Sequence, residues 1–169
     1  TWGFGGGTEA VASDLNQLGG GVDANRAVLT VGNVSALDIF DHNKYTREPR
    51  RALLNWALIT YGAWDFPADA RGYTWGAALE YVRPEWALRA GRFEQPKESN
   101  GQPLNSRILS SYGDVIEAEH GYQMGGQSGR VRVLAFRNQA VMGSFSDAVG
   151  GSASTGGVPD LTQVRTAQA

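Results

Sequence analysis

The sequence contains no cysteine among its 169 residues. A disulfide, a thiolate metal site and a cysteine nucleophile are therefore all excluded. The absence suits a protein that crosses an oxidising compartment such as a bacterial periplasm.

Long apolar runs are also missing. No stretch approaches the roughly 18 consecutive apolar residues that a membrane-spanning helix needs, so the sequence excludes such a helix. A membrane β-barrel is not excluded, because its short strands need an apolar residue only at every second position. The chain begins at Thr1 without a signal peptide, and we expect its true start to lie upstream.

Neither sign of charge dominates, since 15 Lys and Arg residues face 17 Asp and Glu residues. A nucleic-acid backbone binds a strongly basic surface, which this composition does not provide. We therefore expect no nucleic-acid partner.

Motifs of catalysis are absent as well. His42 lies near Asp38 and Asp41, but a loop histidine among surface acids is commoner than a metal site or a catalytic dyad. Glu117 and Glu119 share one strand face and could imitate the carboxylate pair of a hydrolase, yet acids that line a pore need no catalysis to explain them. We predict no enzyme, no cofactor and no metal site.

What the sequence does have is alternation. The clearest strand is predicted from Gly72 to Val82, where apolar and aromatic residues occupy every second position. Small or charged residues occupy the other face. The apolar row consists of Tyr73, Trp75, Ala77, Leu79 and Tyr81.

A second strand is predicted from Trp86 to Phe93, after a tight turn at residues 83–85. The two strands form a hairpin in which Tyr81 and Trp86 flank the turn on the apolar face. Aromatic residues that share one depth in the membrane are typical of the girdles of an outer-membrane barrel.

Further strands are predicted at Arg26–Asn33, Asp114–Tyr122 and Arg130–Asn138, with the tail of another at Thr1–Gly6. Short and long connections alternate between most of them, as they do in membrane barrels. The pattern predicts an all-β, antiparallel fold with about five to six strands.

The connection over residues 34–71 is too long and too apolar for a floppy loop. We expect a short helix over Arg50–Thr60 and a loop that folds inward to narrow a channel. The alternative interpretation is a helix that caps a soluble barrel. The last stretch, from Gly150 to the end of the chain at residue 169, is rich in Gly and Ser at its start and is predicted to be a flexible loop.

Four ordered stretches of the chain resemble the carbohydrate-selective (OprB-like) porins of the outer membrane. They are LTVGNVSALDIFD at 29–41, LLNWALITYGAWDFPADARGYTWGAALEY at 53–81, WALRAGRFEQPKESNGQPLN at 86–105 and GRVRVLAFRNQAVMGSFSDAV at 129–149.

The resemblance implies a transmembrane barrel of about sixteen strands that takes up monosaccharides such as glucose by passive diffusion. It implies that residues 1–149 are a partial barrel with the inward-folding loop 34–71, and that 150–169 belong to an extracellular loop. Side chains of the matching loop are then expected to contact sugar hydroxyls. The loop residues expected to do so are Arg50, Arg51, Trp64 and Arg71.

Two functions follow from these observations. In the first, a porin, apolar residues face the lipid bilayer and charged residues line the sugar path, with a homo-oligomer as one possible assembly. The predicted lining residues on strands are Arg26, Glu80, Arg89, Glu117, Glu119 and Arg132. In the second, a soluble carbohydrate-binding β-protein stacks sugars on Trp56, Trp64 and Trp75, and a second sheet covers the apolar row.

Overall fold

A computed structural model describes residues 1–13, 18–43, 45–48, 50–52, 58–62 and 64–168. The chain is predominantly antiparallel β-sheet, with 46% of the described residues in strands, which confirms the predicted all-β class. Among the described residues, no helix is both long and apolar enough to cross a membrane.

The described strands form a seven-stranded sheet and a separate two-stranded sheet. In the larger sheet the order is β1-β4-β5-β6-β7-β8-β9, and this sheet is not closed. The strands are β1 (Trp2–Gly3), β2 (Thr8–Val11), β3 (Gly20–Asp23), β4 (Arg26–Val34), β5 (Thr74–Val82), β6 (Trp86–Glu94), β7 (Tyr112–Met124), β8 (Gln127–Gly143) and β9 (Arg165–Gln168).

Each predicted strand corresponds to an observed one, so the alternation in the sequence is confirmed as strand periodicity. The short turns are confirmed too. Between β7 and β8 the turn consists of Gly125 and Gly126, whose φ angles of 58° and 77° suit a tight hairpin. In the turn before β6, the amide of Arg83 donates to the carbonyl oxygen of Trp86 at 2.8 Å.

Two segments differ from the sequence prediction. Residues 7–25, predicted as a connection, contain the β2–β3 hairpin. The segment 150–169, predicted as a flexible loop, begins inside an α-helix, α1 (Phe145–Thr155), and ends in β9, which pairs with β8. The side chain of Ser144 caps the start of the helix by accepting from the amide of Asp147.

Capping residues at both ends bound this helix, although its composition is typical of a loop. The hydroxyl groups of Ser152 and Thr155 donate to carbonyl oxygens three or four residues earlier, within α1 itself. Gly156 then ends the helix in the left-handed conformation, with a φ of 70°. The central part of the helix predicted over Arg50–Thr60, residues 53–57, lies outside the described residues, so that helix stays a prediction.

The chain divides into two compact units. Unit 1 contains residues 1–31, 77–91 and 115–135, and unit 2 contains residues 32–76, 92–114 and 136–169. Strands β4 to β8 contribute residues to both units.

An aromatic cluster forms the core of unit 2. Phe40 and Phe93 are fully buried, and the ring of Phe40 lies 6.2 Å from that of Phe93 and 5.9 Å from that of Trp64. Since Phe93 belongs to β6 and the other two belong to the long connection, that connection packs onto the end of β6. The apolar residues of this connection were expected to pack against another part of the protein, and the structure confirms this for Trp64.

Candidate functional site

The sheet in unit 1 has two chemically opposite faces. On one face Leu79 is 52% exposed and Leu88 is 48% exposed, and Ile116 is exposed in the same way on β7. The next residues along the strands point to the opposite face and are charged. There Arg89 is only 8% exposed and Glu117 is not exposed at all. A soluble antiparallel sheet buries its apolar face and exposes its polar one, so this arrangement is inverted.

Aromatic side chains gather where the β5–β6 hairpin turns. The rings of Tyr81 and Trp86 lie 5.4 Å apart, and Phe4 lies 6.3 Å from Tyr81. The guanidinium group of Arg83 lies over both rings of the pair, at 5.5 and 5.8 Å from their centroids. The prediction that Tyr81 and Trp86 lie side by side at the hairpin turn is therefore confirmed.

The buried face of unit 1 carries a network of ion pairs, which we call the charged cluster. Its centre is Arg89, which donates from Nε to Glu80 at 3.0 Å and from Nη1 to Glu117 at 2.8 Å and Glu119 at 3.3 Å. The members of the charged cluster are Glu80, Arg89, Glu117, Glu119, Arg130 and Arg132.

Glu119 connects the two sides of the charged cluster. Its Oε2 accepts from Arg132 Nε at 2.6 Å as well as from Arg89, and its Oε1 accepts from Arg130. Three carboxylates and three guanidinium groups thus offset each other's formal charge. A charge can be buried at tolerable cost only when it is paired in this way.

The charged cluster brings together five of the six strand residues predicted to line a path. They are Glu80, Arg89, Glu117, Glu119 and Arg132. The sixth, Arg26, is paired elsewhere in unit 1, with Glu9 at 2.7 Å and the carbonyl oxygen of Asp23 at 3.1 Å. Sequence reasoning did not select Arg130, although it shares a strand face with Arg132 two positions away, a signal that could have identified it.

The four loop residues selected from the resemblance lie in unit 2 and differ in their surroundings. The side chains of Arg50 and Arg51 are exposed. Trp64 is only 5% exposed and contacts Phe66 edge to face at 5.9 Å. Arg71 binds Asp69 through Nε at 3.0 Å and Nη2 at 2.6 Å.

Asp69 organises the turn that leads into β5. Its Oδ1 accepts from the backbone amides of Arg71 at 2.8 Å and Tyr73 at 3.2 Å. The hydrogen bonds from the Arg71 side chain are the main reason why the pKa of the Asp69 carboxyl lies below its usual value, and the two amides lower that pKa further. Burial opposes these effects without overcoming them.

A cavity of about 520 Å³ lies in unit 2, beside this turn. The nitrogen Nε1 of Trp64 and the nitrogen Nε2 of Gln95, both buried in residues that line it, have no hydrogen-bond partner among the described residues. The lining residues are Trp64, Asp65, Phe66, Ala68, Asp69, Ala70, Gly72, Gln95, Pro96, Ser99, Asn100 and Met142.

Among the described residues, Trp64 and Trp75 do not form a tryptophan platform of the kind that the soluble alternative needs. Trp64 is buried against Phe40 and Phe66, so its ring face is not open to a sugar. Trp75 is exposed on β5. Trp56 lies outside the described residues.

The part of the chain that the structure describes has no group of three or more His, Asp or Glu side chains placed to hold a metal ion. Comparison with protein-family models, curated proteins and solved structures finds no match for this chain. The porin resemblance therefore stays a prediction.

Replacing Glu119 with Gln should destabilise the protein strongly. The substitution leaves Arg130 and Arg132 beside a neutral amide, and removing one partner of a buried ion pair costs about 3 kcal/mol of unfolding free energy. Chemical denaturation followed by tryptophan fluorescence measures the loss. The matched control is Glu85→Gln, at an exposed turn position of the same unit, and equal effects of the two variants would contradict the account.

Acidification should loosen the turn at Asp69. Because its pKa is lower in the folded state than in the unfolded state, the carboxylate stabilises the fold above the unfolded pKa of about 3.9. That contribution is lost as the pH falls through the folded value. Hydrogen exchange at the amides of Arg71 and Tyr73, corrected for intrinsic rates, should therefore accelerate below about pH 4.

The Asp69→Asn variant should lack this acid-dependent acceleration. Asp160→Asn is the control, because the pKa of Asp160 is also lowered, but by hydrogen bonds from Thr162 and Gln163. An unchanged pH profile in Asp69→Asn, or its loss in Asp160→Asn, would show that another group controls the turn.

Proposed function

We propose that this chain forms part of a bacterial outer-membrane β-barrel through which small sugars diffuse passively. The observation that carries the proposal is the inverted sheet of unit 1. Its exposed face is apolar and its buried face carries paired charges, as a barrel wall between lipid and a polar interior requires.

The exposed apolar face of the unit 1 sheet is costly in water. Burying one Leu, Val or Ile side chain is worth about 1.5–3 kcal/mol, so leaving a whole face of them in water forfeits several such contributions. Contact with lipid tails recovers this free energy. The exposed Leu, Val and Ile side chains of this face are Leu29, Val31, Leu79, Leu88, Ile116, Val131 and Val133.

The aromatic residues at the β5–β6 turn support the same orientation. Tyr81 and Trp86 have apolar bodies and polar tips, and such residues concentrate at membrane interfaces. Arg83, which lies over both rings, belongs to the turn and can hold its charge at the level of the headgroups.

The opposite face carries polar groups, as the wall of a water-filled path does. The charged cluster has no net formal charge, which suits neutral polar solutes better than ions. Its most accessible member is Arg130, whose side chain is 47% exposed. Further strands are required in this proposal to pair with the edge strands β1 and β9, because unpaired backbone groups in lipid cost several kcal/mol each. The choice of sugars as solutes rests on the resemblance of the four sequence stretches.

The soluble alternative needs a second protein layer over the apolar row. Leu79 and Leu88 are about half exposed, at 52% and 48%, so no layer formed by the described residues covers them. The membrane proposal is therefore preferred.

The substitution Ala77→Arg tests which environment this row meets, because Ala77 lies midway between Tyr73 and Tyr81 on β5. Near the midplane of a bilayer an arginine on the lipid face costs about 2–4 kcal/mol of folding free energy, whereas a substitution on a surface in water changes that free energy by less than about 0.5 kcal/mol. Denaturation of the full-length protein in phospholipid vesicles should show the larger loss for Ala77→Arg and little change for Leu109→Arg, which lies in the exposed connection before β7. Little change in both variants would contradict lipid contact.

Transport itself is tested with the full-length protein in liposomes. We expect liposomes to swell in glucose and to swell progressively less as the sugar becomes larger. Absence of swelling with any solute would contradict the channel. Equal rates for sugars and for amino acids of similar size would contradict the preference for carbohydrate and leave the channel in place.

A further inference from the structure

Arg83 differs from the other arginines of unit 1, because it has no carboxylate partner. Arg26, Arg89, Arg130 and Arg132 all form ion pairs with glutamates. Arg83 lies in the exposed turn between β5 and β6, and it forms no ion pair within the part of the chain that the structure describes. Its positive charge is therefore available to an anion from outside the protein.

The side chain of Arg83 is nevertheless held in place. Its Nε and Nη2 donate to the phenol oxygen of Tyr81 at 3.2 and 2.8 Å. Its guanidinium carbon lies 5.5 Å from the centroid of the Tyr81 ring and 5.8 Å from that of the Trp86 ring. These contacts orient the guanidinium group before a ligand arrives, which lowers the entropic cost of binding.

One edge of this guanidinium group is open. Nη1 has no hydrogen-bond partner among the described residues, and Nη2 has a second N–H besides the one that Tyr81 accepts. Together the two nitrogens form a donor fork that matches two oxygens of a phosphate or a carboxylate. The geometry therefore favours an oxyanion that binds through two hydrogen bonds.

The apolar surroundings of Arg83 favour an oxyanion that is attached to a lipid. Phe4 is 60% exposed, and its ring lies 6.3 Å from that of Tyr81. Leu88, on the same face of β6 as Trp86, is 48% exposed. A free anion gains nothing from such side chains, whereas the glycerol and acyl chains of a phospholipid can cover them.

We propose that Arg83 binds the phosphate of one glycerophospholipid, with Nη1 and Nη2 donating to two phosphate oxygens and the acyl chains covering the apolar face that carries Leu88. The inference rests on the proposed function, in which this face meets lipid, and deepens it by giving the wall a specific lipid site. Tyr81 is a positioning residue, because its hydroxyl oxygen orients the guanidinium group.

The test compares Arg83→Gln with Arg107→Gln, which removes the same charge from an exposed arginine in the connection before β7. Native mass spectrometry of the full-length protein in detergent measures binding of phosphatidylglycerol as its concentration is raised. We expect Arg83→Gln to bind the first lipid about tenfold more weakly, because charge-assisted hydrogen bonds are lost, and Arg107→Gln to bind within about twofold of the parent. Equal binding by both variants and the parent would overturn the site.

Two further variants test the geometry. Tyr81→Phe removes the hydroxyl oxygen and keeps the ring, so binding should weaken about fivefold, whereas Tyr73→Phe, at another exposed tyrosine of β5 and its entry, should bind as the parent does. Arg83→Lys keeps the charge without the fork and should recover only part of the binding. Parental binding in Tyr81→Phe would overturn its positioning role, and full recovery in Arg83→Lys would overturn the two-oxygen contact.

The chemistry of the ligand is tested with the parent protein. Diacylglycerol with the same acyl chains lacks the phosphate and should bind about tenfold more weakly than phosphatidylglycerol. Inorganic phosphate at the same concentration lacks the chains and should not displace the lipid. Equal binding of diacylglycerol would overturn the phosphate contact, and displacement by inorganic phosphate would overturn a lipid as the occupant.

Liposome swelling with the same proteins separates this inference from the channel. Swelling with the parent, together with unaltered lipid binding in Arg83→Gln, overturns the lipid site and leaves the channel. Weakened lipid binding in Arg83→Gln, without swelling by the parent, supports the lipid site and overturns the channel.

Discussion

The two faces of strands β5 to β7 differ in burial and in polarity, and the rest of the structure depends on this constraint. Leu88 and Arg89 are neighbours in the sequence, yet one is half exposed and the other is buried among carboxylates. The side-chain period of two in a strand separates them. A sheet whose exposed face is apolar is more stable when that face contacts lipid or protein than when it contacts water.

The charged cluster also fixes the pairing of the strands that carry it. Arg89 of β6 binds Glu117 and Glu119 of β7, and Glu119 binds Arg132 of β8. A slip of one residue would turn Arg89 to the apolar face and Leu88 towards the carboxylates. The ion pairs therefore contribute more to the choice of register than to net stability, since desolvation offsets much of their attraction.

The sequence predicts what depends on local periodicity. Alternation over β5 to β8 places Glu80, Arg89 and Glu119 on one face, and the structure confirms that they meet. Which partner each charge takes depends on contacts between distant residues, so the pairing of Arg26 with Glu9 could not be read from its own strand. The helix from Phe145 to Thr155 was missed because Ser and Gly, which give this stretch the composition of a loop, also serve as helix caps, here at Ser144 and Gly156.

The absence of native cysteine allows the central claim to be tested position by position. Single cysteines at residues 77 and 79–82 of β5 in the full-length protein, spin-labelled in lipid bilayers, report accessibility to oxygen and to a water-soluble paramagnetic reagent. The account predicts that labels at residues 77, 79 and 81 respond to oxygen, while those at 80 and 82 respond to the water-soluble reagent. Equal access of that reagent to both sets would contradict a sheet that separates lipid from an aqueous interior.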